Sequence, residues 1–265
     1  DDMASQSNKH KLNTFHLFAG AGGGILADLL LGHNPIGACE IEPYPRDVLL
    51  ARQRDGHLPN FPIWDDVCSL DGTPWRGSVD VLCGGFPCQD ISAAGKGAGI
   101  SGERSKLWKE YARLIGEMQP LFVFAENSPL LRTRGLGVVL EDLASLGYNA
   151  RWGIIGARNI GAPHKRDRMW VLAYPRCQHG QKRNTTQLDS STEEWSHGSI
   201  PNQSSHKRLV DSFWLNDPAK SSIEPRVARV ADGVADRVDR LTAIGNGQVP
   251  RCAAVAFNIL SEGLI

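Results

Sequence analysis

The stretch NTFHLFAGAGGGILADLLLG, residues 13–32, constrains the fold more than any other in the chain. Its first part is β-branched and aromatic, glycines stand at 20, 22, 23 and 24, and the rest has helical apolar spacing that stops at Gly32 and Pro35. A strand passing through a glycine turn directly into a helix is the opening unit of an α/β sheet. The alternation continues: IGACEIE (36–42) reads as a strand, 45–55 as a helix, and VDVLCGGF (79–86) as a strand ending in a loop. KLWKEYARLIGEMQP (106–120) then reads as an amphipathic helix, LFVFAEN (121–127) as a buried strand and LGVVLEDLASLGY (136–148) as a helix. The predicted fold class is α/β, a doubly wound and mostly parallel sheet.

From about residue 175 the pattern fails, and 176–208 is polar and basic without a clear period. Periodicity returns in GNGQVPRCAAVAFNILSEGL (245–264), a turn followed by a helix. We therefore divide the chain into a tail (1–12), a main domain (13–175), a small loop-rich region (176–240) and a C-terminal segment (241–265) that returns to the main domain. A length of 265 residues suits one substantial domain with an appendage. Lysine plus arginine and aspartate plus glutamate both total 29, so nucleic-acid binding would need a local basic patch. Arg176, Lys182, Arg183, Lys207 and Arg208, followed by Arg226, Arg229, Arg237 and Arg240, could form one or simply be a solvated surface. The six cysteines contain no C-x-x-C pair, which speaks against a disulfide framework and a structural zinc site. Apolar runs fall short of a bilayer span. A reducing, cytoplasmic setting with no metal and no membrane is the expectation.

Three clusters carry candidate chemistry. The glycine turn, with Glu40 ending the second strand 20 residues after Gly20, suits a nucleoside-bearing ligand, although a tight structural turn has the same spacing. In WDDV (64–67), Asp65 or Asp66 could accept an adenine amine or merely cap a turn. GGFPCQDIS (84–92) places Cys88 just beyond a strand end, where open α/β sheets bind ligands; it is either a small buried hydrophobe or a nucleophile aimed by Pro87. Glu126 closes an apolar run, where burial would raise its pKa and let it share a proton with a substrate. In HKRDR (164–168), Arg166 and Arg168 stand two apart at the start of a strand and should point to one side.

LFAGAGGG, the acid in CEIE, GGFPCQDIS, AEN, HKRDR and IGNGQVP, in this order, resemble the motif series of the cytosine-C5 DNA methyltransferases. The resemblance covers roughly residues 14–175 and 241–260. It implies a Rossmann-like fold of the class I methyltransferase type, with residues 176–240 as a target-recognition region. It implies that Phe18, Ala19, Gly20, Gly22 and Gly23 cradle S-adenosylmethionine, that Glu40 holds its ribose, and that Asp66 and Val67 meet its adenine. Ile41, Pro87 and Asn246 complete the cofactor set, Asn246 mainly as support. By the same resemblance Cys88 adds to C6 of a flipped-out cytosine, Glu126 bonds the ring at N3 and the amine, Arg168 contacts the base carbonyl, and Arg166 steadies the cysteine loop and the DNA backbone. Gln89, Ser92, Lys96 and Arg166 are the implied DNA contacts, and GKGAGISG (95–102) a DNA-facing loop. The implied partners are double-stranded DNA and a cognate restriction endonuclease, with the protein a monomer.

The chain departs from the family in three places: ENSP where Glu-Asn-Val is commonest, His164 where glutamine is usual, and Ile41 where an aromatic often covers the adenine. The recognition region is short. Two other readings stand beside this one: an RNA cytosine methyltransferase, whose Cys-Phe-Thr signature is not found here, and a non-catalytic DNA-binding relative, against which the reacting residues argue. A donor carrying a group larger than methyl is compatible with the same residues.

Overall fold

The computed structural model describes residues 11–87, 106–176, 193–194 and 237–265. The chain runs β1 (Asn13–Leu17), α1 (Gly23–Leu31), β2 (Asn34–Cys39), α2 (Pro43–Arg54), β3 (Ile63–Trp64), β4 (Val81–Gly85), α3 (Lys106–Met118) and β5 (Phe122–Asn127). There follow α4 (Leu131–Arg134), α5 (Leu136–Ser145), β6 (Tyr148–Ile155), β7 (Arg168–Pro175), β8 (Glu193–Glu194), α6 (Arg237–Asn246) and α7 (Pro250–Leu260). Among the described residues the sheet has eight strands in the order β3-β2-β1-β4-β5-β7-β6-β8. β1 to β5 are mutually parallel, and β7 runs antiparallel between β5 and β6. The doubly wound, mostly parallel architecture is thus present, with an antiparallel pair on one side.

Strand alternation divides the core between the two faces of the sheet. Phe15 and Leu17 of β1, Leu82 of β4, Val123 and Ala125 of β5, and Met169, Val171 and Ala173 of β7 pack under Trp108, Tyr111, Leu114 and Met118 of α3. Their sequence neighbours Val81, Cys83, Phe122, Phe124, Trp170 and Leu172 pack instead against Ala253, Ala256 and Phe257 of α7. Burying a side chain as large as Phe15 or Trp170 contributes about 1.5–3 kcal/mol. Tyr111 is fully buried because its hydroxyl donates to the carbonyls of Leu82 (3.0 Å) and Phe124 (3.3 Å), tying α3 to the two central strands. α1 lies along α7 on the opposite face, and small residues such as Ala253 and Ala254 permit the close approach.

Three elements differ from the sequence expectation. The helical signal of 136–148 ends at Ser145, because Gly147 (φ 91°) reverses the chain and Tyr148 opens β6. β6 was not foreseen, since YNARWGII lacks the continuous apolar run of a central strand and its neighbour β7 inserts from the far side. α6 also lies where no helical period was read, immediately before the expected turn and helix. Most of 176–240 lies outside the described residues; Glu193–Glu194 pairs with β6 at the sheet edge. Among the described residues no helix is long and apolar enough to cross a membrane.

Candidate active site

The first half of the site lies at the carboxyl ends of β1, β2 and β3. After Leu17 the backbone turns through Phe18 (φ 51°) and Gly20 (φ 54°), and the Ala19 N–H donates to the Cys39 carbonyl at 3.1 Å. Left-handed backbone at a non-glycine such as Phe18 is uncommon and marks a turn fixed by its surroundings. Glu40 closes that turn. One carboxylate oxygen accepts from Gly20 N–H at 2.6 Å and the other from Glu42 N–H at 2.8 Å, although the side chain is buried. Each oxygen keeps lone-pair capacity, so a vicinal diol could bond the same carboxylate. The glycines serve different ends. A Cβ on Gly20 would meet nothing within 4 Å, whereas one on Gly23 would lie 2.3 Å from the backbone oxygen of Gln248. Gly20 therefore leaves space on the ligand side, and Gly23 admits the chain segment before α7.

Ile41 is 61 % exposed beside this carboxylate. Asp66 accepts its own loop's Cys68 N–H at 2.9 Å, and Val67 beyond it is buried. Arg113 of α3 fixes that loop, donating to the carbonyls of Val67 (3.0 Å) and Leu70 (3.1 Å) while paired with Glu110 and Glu117. An acid at the glycine turn, an exposed apolar side chain next to it and an adjoining acidic loop fit a nucleoside with a charged tail.

The second half lies at the ends of β4, β5 and β7. Glu126 sits opposite Gly85 in register and is buried. One of its oxygens is 2.8 Å from Arg168 Nε. Burial pushes the Glu126 carboxyl above its ordinary range, opposed by Arg168, by Arg166 and by a hydrogen bond from the Gln248 side chain. The two arginines do face the same carboxylate, but not through strand alternation as expected. Arg166 precedes β7 with φ 36°, so its side chain leaves by a separate route and donates to the carbonyls of Gly245 (2.7 Å) and Gly247. It thereby fastens the turn before α7 to the site, and burial and the neighbouring Arg168 lower its own pKa.

Asn127 donates through Nδ2 to the Phe86 carbonyl at 3.0 Å and accepts the Ser128 N–H at 2.7 Å. β5 thus holds the strand-to-loop segment two residues before Cys88. Cys88, Gln89, Ser92 and Lys96 lie outside the described residues, which resume at Lys106; exposed Pro87 is the last described position before them. Asn246 ends α6 in an exposed position.

Residues 12–235 match the model of the C-5 cytosine-specific DNA methylase family. The chain belongs to that family. Among curated relatives, type II methyltransferase M2.BsuMI of Bacillus subtilis is 33% identical over 165 residues, covering 59% of this chain and 40% of the relative. Type II methyltransferase M.CviJI of Paramecium bursaria Chlorella virus IL3A is 28% identical over 201 residues, covering 75% of this chain and 53% of the relative. The chain thus spans about half the length, or less, of these relatives. The solved structure of Entamoeba histolytica methyltransferase EhMeth superposes with a TM-score of 0.53 at 18% identity, covering 69% of this chain and 57% of that one, a likeness of fold.

Within this methylase-family site, sequence reading missed Gln248 and a buried polar group behind it. Gln248 belongs to the IGNGQVP motif, from which only Asn246 was singled out. The group behind it is Asp28 of α1, which accepts from Thr14 Oγ1 and bonds His16 Nε2, both in β1, with His33 Nδ1 at 3.6 Å. Burial raises the Asp28 carboxyl, but the His16 charge and the hydrogen bonds from His16, His33 and Thr14 outweigh it and bring it down to about 2. Cys83 Sγ completes a set of His, Asp and Cys ligand atoms within 4.8 Å of one another, but His16 Nε2 and Asp28 Oδ2 are already spent on each other. The available signal was a histidine in TFHLF and an aspartate in ILADLLL, each a polar interruption of an apolar run.

Proposed function

We propose that this chain is the catalytic region of a DNA (cytosine-5) methyltransferase that modifies a flipped-out cytosine in duplex DNA. One observation carries the reading: a buried carboxyl, Glu126, held between Arg168, Arg166 and Gln248 at a strand end next to the cysteine loop, in a chain of the methylase family. S-adenosylmethionine, when bound, supplies an electrophilic methyl group on a sulfonium. Phe18, Ala19, Gly20, Gly22 and Gly23 would shape its pocket, Glu40 would accept from the ribose hydroxyls, and Ile41, Asp66 and Val67 would border the adenine, with Pro87 and Asn246 at the margin.

Cytosine C5 is a weak nucleophile until a thiolate adds at C6, and Cys88 is the residue for that step. Its sulfur forms the bond to C6 as charge moves into the ring. Glu126, its carboxyl raised by burial, would bond the ring at N3 and the exocyclic amine and so meet that charge, while Arg168 pairs with the carboxyl and would face the base carbonyl. C5 would then take the methyl group, whose bond to the sulfonium sulfur would break with its electron pair to leave a neutral thioether. Loss of the C5 proton to a base and elimination of the thiolate regenerate Cys88. Reaching C6 requires the base outside the stack, a cost to be met by contacts from Gln89, Ser92 and Lys96 and by Arg166 near the backbone. The protein is proposed to act as a cytoplasmic monomer on DNA, alongside a cognate restriction endonuclease.

The test is transfer of labelled methyl groups to duplex DNA, single-stranded DNA and transfer RNA. Label in duplex cytosine, absent with Cys88→Ala, is expected; label in transfer RNA alone would replace the DNA reading. Duplex DNA carrying 5-fluorocytosine, whose C5 substituent cannot leave as a proton, should trap a covalent adduct through Cys88. Active methylation of ordinary DNA without that adduct would exclude Cys88 as the nucleophile.

A further inference from the structure

A row of buried polar groups runs from Glu126 into the core on the α7 side of the sheet, and only its first member has a part in the chemistry above. Gln248 joins Glu126 to the rest by threading its side chain between two glycines. A Cβ on Gly85 would lie 3.3 Å from Gln248 Nε2 and 2.6 Å from Glu126 Oε2. A Cβ on Gly24 would lie 2.6 Å from Gln248 Oε1 and 3.2 Å from His16 Nδ1. The amide therefore spans from β4 to α1, its nitrogen on the Glu126 side and its oxygen on the His16 side. Any side chain at position 24 or 85 would occupy that passage.

The sense of the amide matters, because reversed it would present an oxygen to a carboxylate. His16 supplies the reason for the observed sense. Its Nε2 is committed to Asp28, leaving Nδ1 to converge with Gln248 Oε1 on the space beside Gly24. The buried Asp28 carboxylate fixes the ring through Nε2, which keeps Nδ1 on the Gln248 side. We propose that Gln248 is a positioning residue for Glu126, held with Nε2 toward the carboxyl by the His16–Asp28 pair. The proposal rests on the reading of Glu126 as the group that meets the cytosine ring. Arg168 takes Oε1 and Gln248 lies on the Oε2 side, so the plane of the carboxyl is fixed from both oxygens. The charged or titratable groups facing Glu126 are Arg168 from β7 and Arg166 from the segment before it. Those facing His16 are Asp28 from α1 and Cys83 from β4, with His33 beyond Asp28.

The experiment follows the Glu126 carboxyl directly, by 13C NMR of the full chain labelled at glutamate side chains, without DNA. In Gln248→Leu the Glu126 titration should move to higher pH, because a donor to its charged form is gone. His16→Asn should move it in the same direction by less. Gln248→Met, closer in shape, carries the same expectation should Gln248→Leu not fold. In methyl transfer, Gln248→Leu should lower kcat by roughly tenfold or more with KM for DNA little changed, and its pH profile should move with the Glu126 titration. An unmoved Glu126 titration in folded Gln248→Leu or Gln248→Met would overturn the proposal. If the wild-type chain transfers no methyl group yet the titration moves, the positioning stands and the function proposed for the site fails. If it transfers methyl groups and the titration stays, the positioning alone fails.

Discussion

Gly85→Ala isolates the placement of the Glu126 carboxyl from its chemistry. Gly85 is not among the left-handed residues, so alanine fits the β4 backbone. The added Cβ would stand 2.6 Å from Glu126 Oε2, where ordinary contact begins near 3.4 Å, so the carboxyl must retreat by about 0.8 Å. The path of retreat disturbs the 2.8 Å bond from Arg168 Nε and the Gln248 donor on the other side. Misplacing a reacting group by about 1 Å costs on the order of 100-fold in rate, so kcat should fall about 100-fold. Stability should hardly change. The atom displaced is the end of a side chain, and replacing glycine by alanine restricts the unfolded chain by about 0.4–1 kcal/mol, offsetting local strain. Steady-state methyl transfer to duplex DNA and urea unfolding measure the two quantities on one preparation. Activity within twofold of wild type would refute the placement argument. A loss of several kcal/mol in stability would show instead that the backbone gives way rather than the carboxyl.

Other perturbations probe the supports. Asp28 titrates at about 2 rather than 3.8, so its contribution of about 2 kcal/mol is present above pH 3.8 and lost as the pH falls toward 2; Asp28→Asn should remove that contribution at neutral pH, read by urea unfolding across pH. Tyr111→Phe should cost about 1–2 kcal/mol in the same assay, since it removes the buried hydroxyl's hydrogen bonds to the carbonyls of Leu82 and Phe124. Arg113→Ala frees the carbonyls of Val67 and Leu70 and should weaken S-adenosylmethionine binding by calorimetry while leaving kcat at saturation nearly unchanged. The Glu126 carboxyl is raised by burial, so its proton, and the stability that goes with the neutral form, persist at low pH and are lost as pH rises through that raised value; urea unfolding across pH should show a matching loss of stability that Glu126→Gln abolishes.

The central strands were legible because a strand covered on both faces must be apolar at every position, and β5 is buried throughout. Glu126 was legible for the same reason, as a charge that ends such a run. β6 was not, because a strand in an antiparallel pair at the sheet's side needs no continuous apolar run, and the helical period before it extends almost to its first residue. The origin of the Arg166 and Arg168 placement was misread, because one left-handed residue defeats an alternation argument and nothing local announces it. Gln248 was illegible in a different way. Its partners are Gly24, Gly85 and Glu126, far apart in the chain, and a glycine that clears room for another residue's side chain reads in sequence like any turn or strand irregularity.

Register explains why the polar row exists at all. His16 pairs with Cys83 across β1 and β4, Cys83 with Phe124, and Gly85 with Glu126 across β4 and β5. Side chains alternate along each strand, so these positions share the face that α7 and α1 cover, while Phe15, Leu17, Leu82, Val123 and Ala125 share the other. A slip of one residue in any of these pairings would send the polar groups into the α3 core and bring apolar ones to the turn before α7. The apolar face fixes the register, and the register then aligns His16, Gln248 and Glu126 along one line from the core to the strand ends. Stability of the α3 face and placement of the reacting carboxyl are thus consequences of the same pairing, and a core substitution that loosened β4 against β5 would cost activity before it cost the fold.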